Sequence, residues 1–258
     1  MPGPILIFDS GVGGLSVVPP LRRRLPDAAL VYACDNAMLP YGTRPDDWLV
    51  ARIVAVCDAA VAASGCCVLV VACNTASTLA LDALRAHLAV PVVGTVPAIK
   101  PAAAMSASRH IGLLATSATV VRPYTDRLIE AFAPDCRVAR VAADPLVKEA
   151  ERLLAGEEPD QAVIRAVMEP LIREPDLDTV VLGCTHFPLF GERLVAAFPR
   201  PVRLVDSSDA IARRTVQVAS DPAPRAGRDR SLATAPDAGL ARALAGFDFD
   251  EPRLLIVG

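Results

Sequence analysis

Lysine is nearly absent: Lys100 and Lys148 stand alone among 26 basic residues, and the rest are arginine. Pyridoxal enzymes need a Schiff-base lysine with supporting groups. Neither lysine has such a setting, which argues against pyridoxal chemistry. Aromatic residues make up only 4% of a chain that is 53% apolar, so alanine, valine and leucine must fill the core. There is no CxxC pair, and His87, His110 and His186 are scattered, so the ligand spacing of a zinc site is missing. No apolar run is long enough to cross a membrane. The opening MPGPILIFDS lacks the charged and apolar regions of a signal peptide, so a cytoplasmic location without a membrane partner is expected. The net charge of −3 offers no basic footprint for nucleic acid. Seven cysteines, an odd number, together with no export signal argue against a disulfide framework.

What is present is alternation. Apolar β-type runs fall near 5–8, 30–33, 68–72, 92–94, 111–115, 138–142, 180–182, 202–205 and 254–257. Helix-like stretches separate most of them, for example 45–63, 75–87, 119–132 and 207–218. This pattern predicts an α/β fold with mainly parallel sheets flanked by helices. The strands are continuous apolar runs, as buried parallel strands are. Only the stretch 220–231, SDPAPRAGRDRS, has loop-like composition. A weak repeat runs through the chain. Thr116, in GLLATSAT, lies 107 residues after Asp9, in IFDSGVG, and Cys184 lies 111 after Cys73. Two similar α/β halves are therefore expected.

Two segments carry the chemistry. VLVVACNTAS and TVVLGCTHFP each end an apolar run on a cysteine, Cys73 and Cys184, followed by small polar residues. Ligands of α/β proteins bind at the carboxyl ends of strands. A thiol there, at a helix start, is favoured as thiolate. Either cysteine alone reads first as a buried small residue, the majority case. As a matched pair they suggest two groups facing one substrate from opposite sides. His186, two residues after Cys184, can activate that thiol or donate a proton. FDSGVGG lacks the full dinucleotide fingerprint and any GK[ST], so a carboxylate ligand suits its strand-to-helix turn better than a pyrophosphate.

Taken together, DSGVGGLSV, PYGTR, ACNTAS, GCTHFPL and LVDSSDAIARR resemble the glutamate racemases of the cofactor-independent aspartate/glutamate racemase superfamily. The resemblance runs from about Ile5 to about Thr215, and the last forty or so residues match poorly. It implies two α/β domains with the active site in the cleft between them. Residues 1–95 plus 207–258 would form a discontinuous first domain and 96–206 the second. Cys73 and Cys184 would be the acid/base thiols, assisted by Asp9 and His186 respectively. Ser10, Tyr41, Gly42, Asn74, Thr75 and Thr185 would bind substrate, and Thr116 would join the pocket. An assisting glutamate falls on Glu151 in LVKEAERLLAG, with Glu149 as competitor.

The implied reaction inverts L- and D-glutamate without cofactor or metal and supplies D-glutamate for peptidoglycan. The implied partner is glutamate itself, with a homodimer left open. Some members of the family carry an N-terminal extension and depend on a nucleotide-linked cell-wall precursor. With the first strand near Ile5, appreciable basal activity is expected instead. The alternatives are a superfamily racemase acting on aspartate or a hydantoin, a carboxylate-binding homologue without turnover, and a redox dithiol protein.

Overall fold

The computed structural model describes residues 2–258. Its first half alternates β1 (Ile5–Asp9), α1 (Val18–Arg24), β2 (Leu30–Cys34), α2 (Asp46–Ser64), β3 (Val68–Val71), α3 (Asn74–His87) and β4 (Val92–Val93). Then come α4 (Ile99–Met105), β5 (His110–Ala115), α5 (Ser117–Val120), α6 (Pro123–Phe132), β6 (Arg137–Ala142), α7 (Asp144–Leu154) and α8 (Gln161–Ile172). The remainder is β7 (Thr179–Leu182), α9 (Gly191–Ala196), β8 (Arg203–Val205), α10 (Ser208–Val218), β9 (Arg230–Ala233), α11 (Ala238–Ala245) and β10 (Arg253–Leu254).

The strands form two sheets, ordered β10-β9-β2-β1-β3-β4 and β6-β5-β7-β8. Every pairing between these strands is parallel. The β2-β1-β3-β4 portion and the whole second sheet share one order, which is the weak repeat of the sequence made visible in topology. Thr116 follows β5 as Asp9 ends β1, and Cys184 follows β7 as Cys73 follows β3.

Pleating explains the composition. On β1, Ile5 and Ile7 join one core cluster, with helices α1, α10 and α11 over it, while Leu6 and Phe8 join another under α2 and α3. Both faces are covered, so all five residues of β1 are buried. The second sheet is sandwiched likewise. Leu114 and Val180 pack beneath α7 and α8, while Leu113 and Val181 pack beneath α4.

Three sequence expectations change. The helix expected over 119–132 is two, broken before Pro123, which opens α6 and cannot supply an N–H to the preceding turn. The end of the expected loop over 220–231 is strand, because Arg230–Ala233 pairs with β2. The last strand is confined to Arg253–Leu254.

That loop is anchored from within. Asp229 is buried, accepts from Leu30 N–H at 2.8 Å, and pairs with Arg22 and Arg225. Removing a buried carboxylate leaves its cationic partners unpaired. Asp229→Ala is expected to lower stability by roughly 3 kcal/mol, read as a drop in urea midpoint at unchanged slope.

Candidate active site

The two sheets meet at the carboxyl ends of their central strands. Thr185, just past β7, donates to Asp9 Oδ2 at 2.9 Å across the junction. Between the strand tips lies a cavity with about 320 Å³ of unfilled space, part of it open to solvent. It is lined by Ser10, Tyr41, Gly42, Cys73, Asn74, Thr75, Thr116, Cys184, Thr185 and His186, with Leu39, Pro40, Val147 and Gly183 completing the wall. Ten residues expected from sequence are thus gathered around one space, and Asp9 and Glu151 stand behind it.

Each thiol has its own polar neighbour. Cys73 is the N-terminal flank of α3, and its Sγ lies 3.8 Å from Ser10 Oγ. Ser10 Oγ in turn reaches Asp9 Oδ1 at 3.4 Å. Asp9 therefore stands one step behind Cys73, and Ser10 makes the contact. Burial pushes the Cys73 thiol far up, and the Asp9 carboxylate pushes the same way. Asp9 is fully buried, and burial raises its own carboxyl, opposed chiefly by His186 and the Gly11 N–H.

On the other side, Cys184 Sγ lies 3.7 Å from His186 Nδ1. His186 Nε2 faces a carboxylate, Glu151 Oε1, at 2.7 Å, so it is the donor. Burial opposes charge on His186, but Cys184 and Glu151 outweigh it and hold the imidazole well above 6.5. Of the two candidate glutamates, Glu151 is the one that touches the site. Glu149 faces away, accepting from the Asp160 N–H at 2.6 Å and pairing with Arg152.

The glycine turn after β1 has a purpose different from the one its pattern suggests. An anion does sit on it, but the anion is Glu151, whose Oε1 accepts the Val12 N–H at 2.9 Å. A Cβ on Gly11 would lie 2.2 Å from that oxygen, and one on Gly13 would lie 2.5 Å from His186 Nδ1 and Thr185 Oγ1. These two glycines admit the opposite half of the protein.

Tyr41 and Gly42 form the wall nearest the second sheet, where a Cβ on Gly42 would come within 3.2 Å of Thr116. The Tyr41 hydroxyl is turned from the cavity and donates to Asp35 Oδ2 at 2.8 Å. Thr116 Oγ1 pairs with Thr119 Oγ1 at 3.1 Å. Asn74 is only 6% exposed, and its Oδ1 has no hydrogen-bond partner. A buried acceptor left open toward a cavity is a place for a ligand's donor. Thr75 is buried beside it.

Sequence reasoning missed Asp35 and Tyr32. Tyr32 donates to the Gly11 carbonyl at 2.6 Å and steadies the glycine turn. The available signal for Asp35 was its place after β2, an acid at a strand tip like Asp9. Nothing in the sequence marks Tyr32. Among the described residues no cluster of His, Cys, Asp and Glu has the arrangement to hold a metal ion. All seven cysteines are free, and no helix there is long and apolar enough to cross a membrane.

The family model of Asp/Glu/hydantoin racemases matches residues 16–215. Glutamate racemase of Salmonella gallinarum is 47% identical over 223 residues, 86% of this chain and 79% of that protein. The crystal structure of Escherichia coli glutamate racemase in complex with L-glutamate and the activator UDP-MurNAc-Ala superposes with a TM-score of 0.94 at 42% identity, covering 100% of both chains. Glutamate racemase of Thermus thermophilus in complex with β-chloro-D-alanine superposes at 0.75 with 32% identity, covering 99% of this chain and 96% of that one.

The raised His186 makes a prediction about stability. A histidine whose folded pKa exceeds its unfolded value contributes fully below the unfolded value, here 6.5, and loses that contribution as pH rises through the folded one. The stability difference between the protein and His186→Gln is therefore expected to be greatest below about pH 6.5 and to shrink on the alkaline side. Chemical denaturation across pH checks it.

Proposed function

The chain belongs to the Asp/Glu/hydantoin racemase family and interconverts L- and D-glutamate; we propose that it does so with two thiols, Cys73 and Cys184, acting on opposite faces of Cα. The single observation carrying this reading is that the two cysteines end equivalent strands of two sheets of like order and line one cavity. A binding protein without turnover needs no such pair.

The division of labour follows from the neighbours. A buried Cys73, beside a buried carboxylate, keeps its proton. An imidazolium at His186 gives a thiolate at Cys184 its counter-charge. In that state Cys184 is the base and Cys73 the acid, and the site is set for the enantiomer whose proton faces Cys184. By family resemblance that is L-glutamate, while Cys73 serves D-glutamate. Cys184 removes the Cα proton, and the Cys73 thiol supplies one to the other face. Asp9, through Ser10, and Glu151, through His186, support the two thiols. After turnover the protonation states are exchanged.

A thiol of ordinary pKa, about 8.5, is too weak a base for Cα on its own. The carbanion-like transition state therefore needs donors at the α-carboxylate and exclusion of water. Helix α3 begins at Asn74, and the N–H groups of its first turn have no partner within the helix. With the Thr75 hydroxyl they supply such donors, while the open Asn74 Oδ1 and the Thr185 hydroxyl oxygen, whose proton goes to Asp9, suit the substrate ammonium. The reading also divides the chain into 1–95 plus 207–258 and 96–206, with the cleft between. In a peptidoglycan-making bacterium the product would feed the cell wall from the cytoplasm.

Cys73→Ser and Cys184→Ser each exchange a thiol for a much weaker acid and base of near-equal size. Each is expected to lose at least about 10²-fold in racemisation, followed by optical rotation. In heavy water, Cys184→Ser retains slow exchange of the Cα hydrogen of D-glutamate, and Cys73→Ser that of L-glutamate. Near-normal racemisation by either variant overturns the assignment.

A second measurement concerns regulation. The E. coli protein's activator, UDP-MurNAc-Ala, is the first ligand to test for raising the rate here. Appreciable turnover without it is the expected outcome, and an enzyme silent until it is added contradicts that.

A further inference from the structure

Asp35 is fully buried, and its carboxylate accepts four hydrogen bonds. Oδ1 takes Arg52 Nη2 and Thr234 Oγ1, each at 2.7 Å. Oδ2 takes the Tyr41 hydroxyl at 2.8 Å and Arg52 Nε at 2.9 Å. The arginine contact is bidentate, the geometry that fixes orientation as well as distance. No acceptor site on this carboxylate is left for a substrate, so it is not a group that moves protons at Cα.

Its backbone is as firmly set as its side chain. Asp35 N–H donates to the Asp9 carbonyl at 3.1 Å, continuing the β1–β2 ladder past the strand end. Thr234 N–H donates to the Cys34 carbonyl at 3.1 Å and does the same for β2–β9. Three adjacent strand tips are thereby locked together, and the short 3₁₀ turn Tyr41–Thr43 is tied to them through the Tyr41 hydroxyl. Tyr41 is 2% exposed, its ring sits 6.5 Å from that of Phe8, and its oxygen is committed to Asp35. What Tyr41 gives the cavity is therefore position, and it carries Gly42 with it.

We propose that Asp35 is a positioning residue for substrate binding: held by Arg52 and by Thr234 of the C-terminal segment, its carboxylate fixes the Tyr41–Gly42 wall of the active-site cavity. The proposal rests on the glutamate reading for the identity of the substrate, and not for the geometry. It also assigns the segment after β9 a part in the active site, through the Thr234 hydroxyl.

The test uses the full chain with Asp35→Asn and Thr234→Val. Asp35→Asn keeps the shape but loses the charge that binds Arg52. Thr234→Val removes two hydrogen bonds, the one to Asp35 and the one from the Ala37 N–H, at near-constant volume and guards against a fold failure in the first variant. In Asp35→Asn, KM for both glutamate enantiomers is expected to rise about tenfold with kcat changed less than about threefold, the signature of lost binding rather than lost chemistry. Thr234→Val is expected to move KM the same way by a smaller factor. In both, amide hydrogen exchange at Tyr41 and Gly42 is expected to quicken, a readout that requires no turnover. A fall in kcat at unchanged KM, or unchanged exchange at Tyr41 and Gly42 in both variants, overturns the proposal. If the unmodified protein does not racemise glutamate, the functional reading fails, and the exchange measurement still decides the role of Asp35.

Discussion

One carboxylate oxygen ties the two sheets together where the chemistry lies. Glu151 Oε1 accepts a backbone N–H from the glycine turn after β1 and the imidazole N–H of His186. It can do both only because Gly11 and Gly13 carry no side chain. The same oxygen thus sets the depth to which the second sheet approaches the first, and by holding the Nε2–H of His186 it turns the Nδ1 side of the ring toward Cys184. The Asp9–Thr185 bond is the matching tie from the opposite direction. Apolar packing joins these polar ties, because Leu154 and Leu189 of the second half pack against the first sheet's core.

This arrangement gives the two thiols unlike surroundings within a fold of like halves. Cys184 has a titratable ring beside it, backed by a carboxylate that is partly open to water. Cys73 has a hydroxyl beside it, backed by a carboxylate with no exposure at all. Equivalent backbone positions therefore carry inequivalent electrostatics. For a reaction with an equilibrium constant of one between mirror-image substrates, the resting asymmetry belongs to the protein and not to the ligands.

Much of this was legible in the sequence because strand-tip chemistry is local. ACNTAS and GCTHFP place their cysteines by short-range rules, an apolar run ending where a helix begins. The alternation of runs likewise gave the sheets. What was not legible depends on partners far away. RSLA of β9 reads as the end of a charged loop until β2 is seen beside it. The glycines of FDSGVGG read as a ligand cradle, because their true neighbour, Glu151, lies 139 residues from Val12. The choice between Glu149 and Glu151 turned on helix rotation: two residues apart on α7 means opposite directions, and sequence alone does not say which faces inward. Asp35 was passed over because its three partners, Tyr41, Arg52 and Thr234, come from three separate elements.

The pairing of β2 with β9 has a consequence for how the molecule is made. Leu30 and Asp229, joined directly, are 199 residues apart. A chain emerging from the ribosome can complete the second sheet, whose four strands fall within residues 110–205, while the first still lacks its last two strands. Until those arrive, β2 stands with one unpaired edge, its mostly apolar residues all destined for burial. Closing so long a loop is entropically late and slow. The nascent protein thus passes through a stage in which one sheet is finished and the other exposes a sticky border. That interval is when chaperones or aggregation would compete for it.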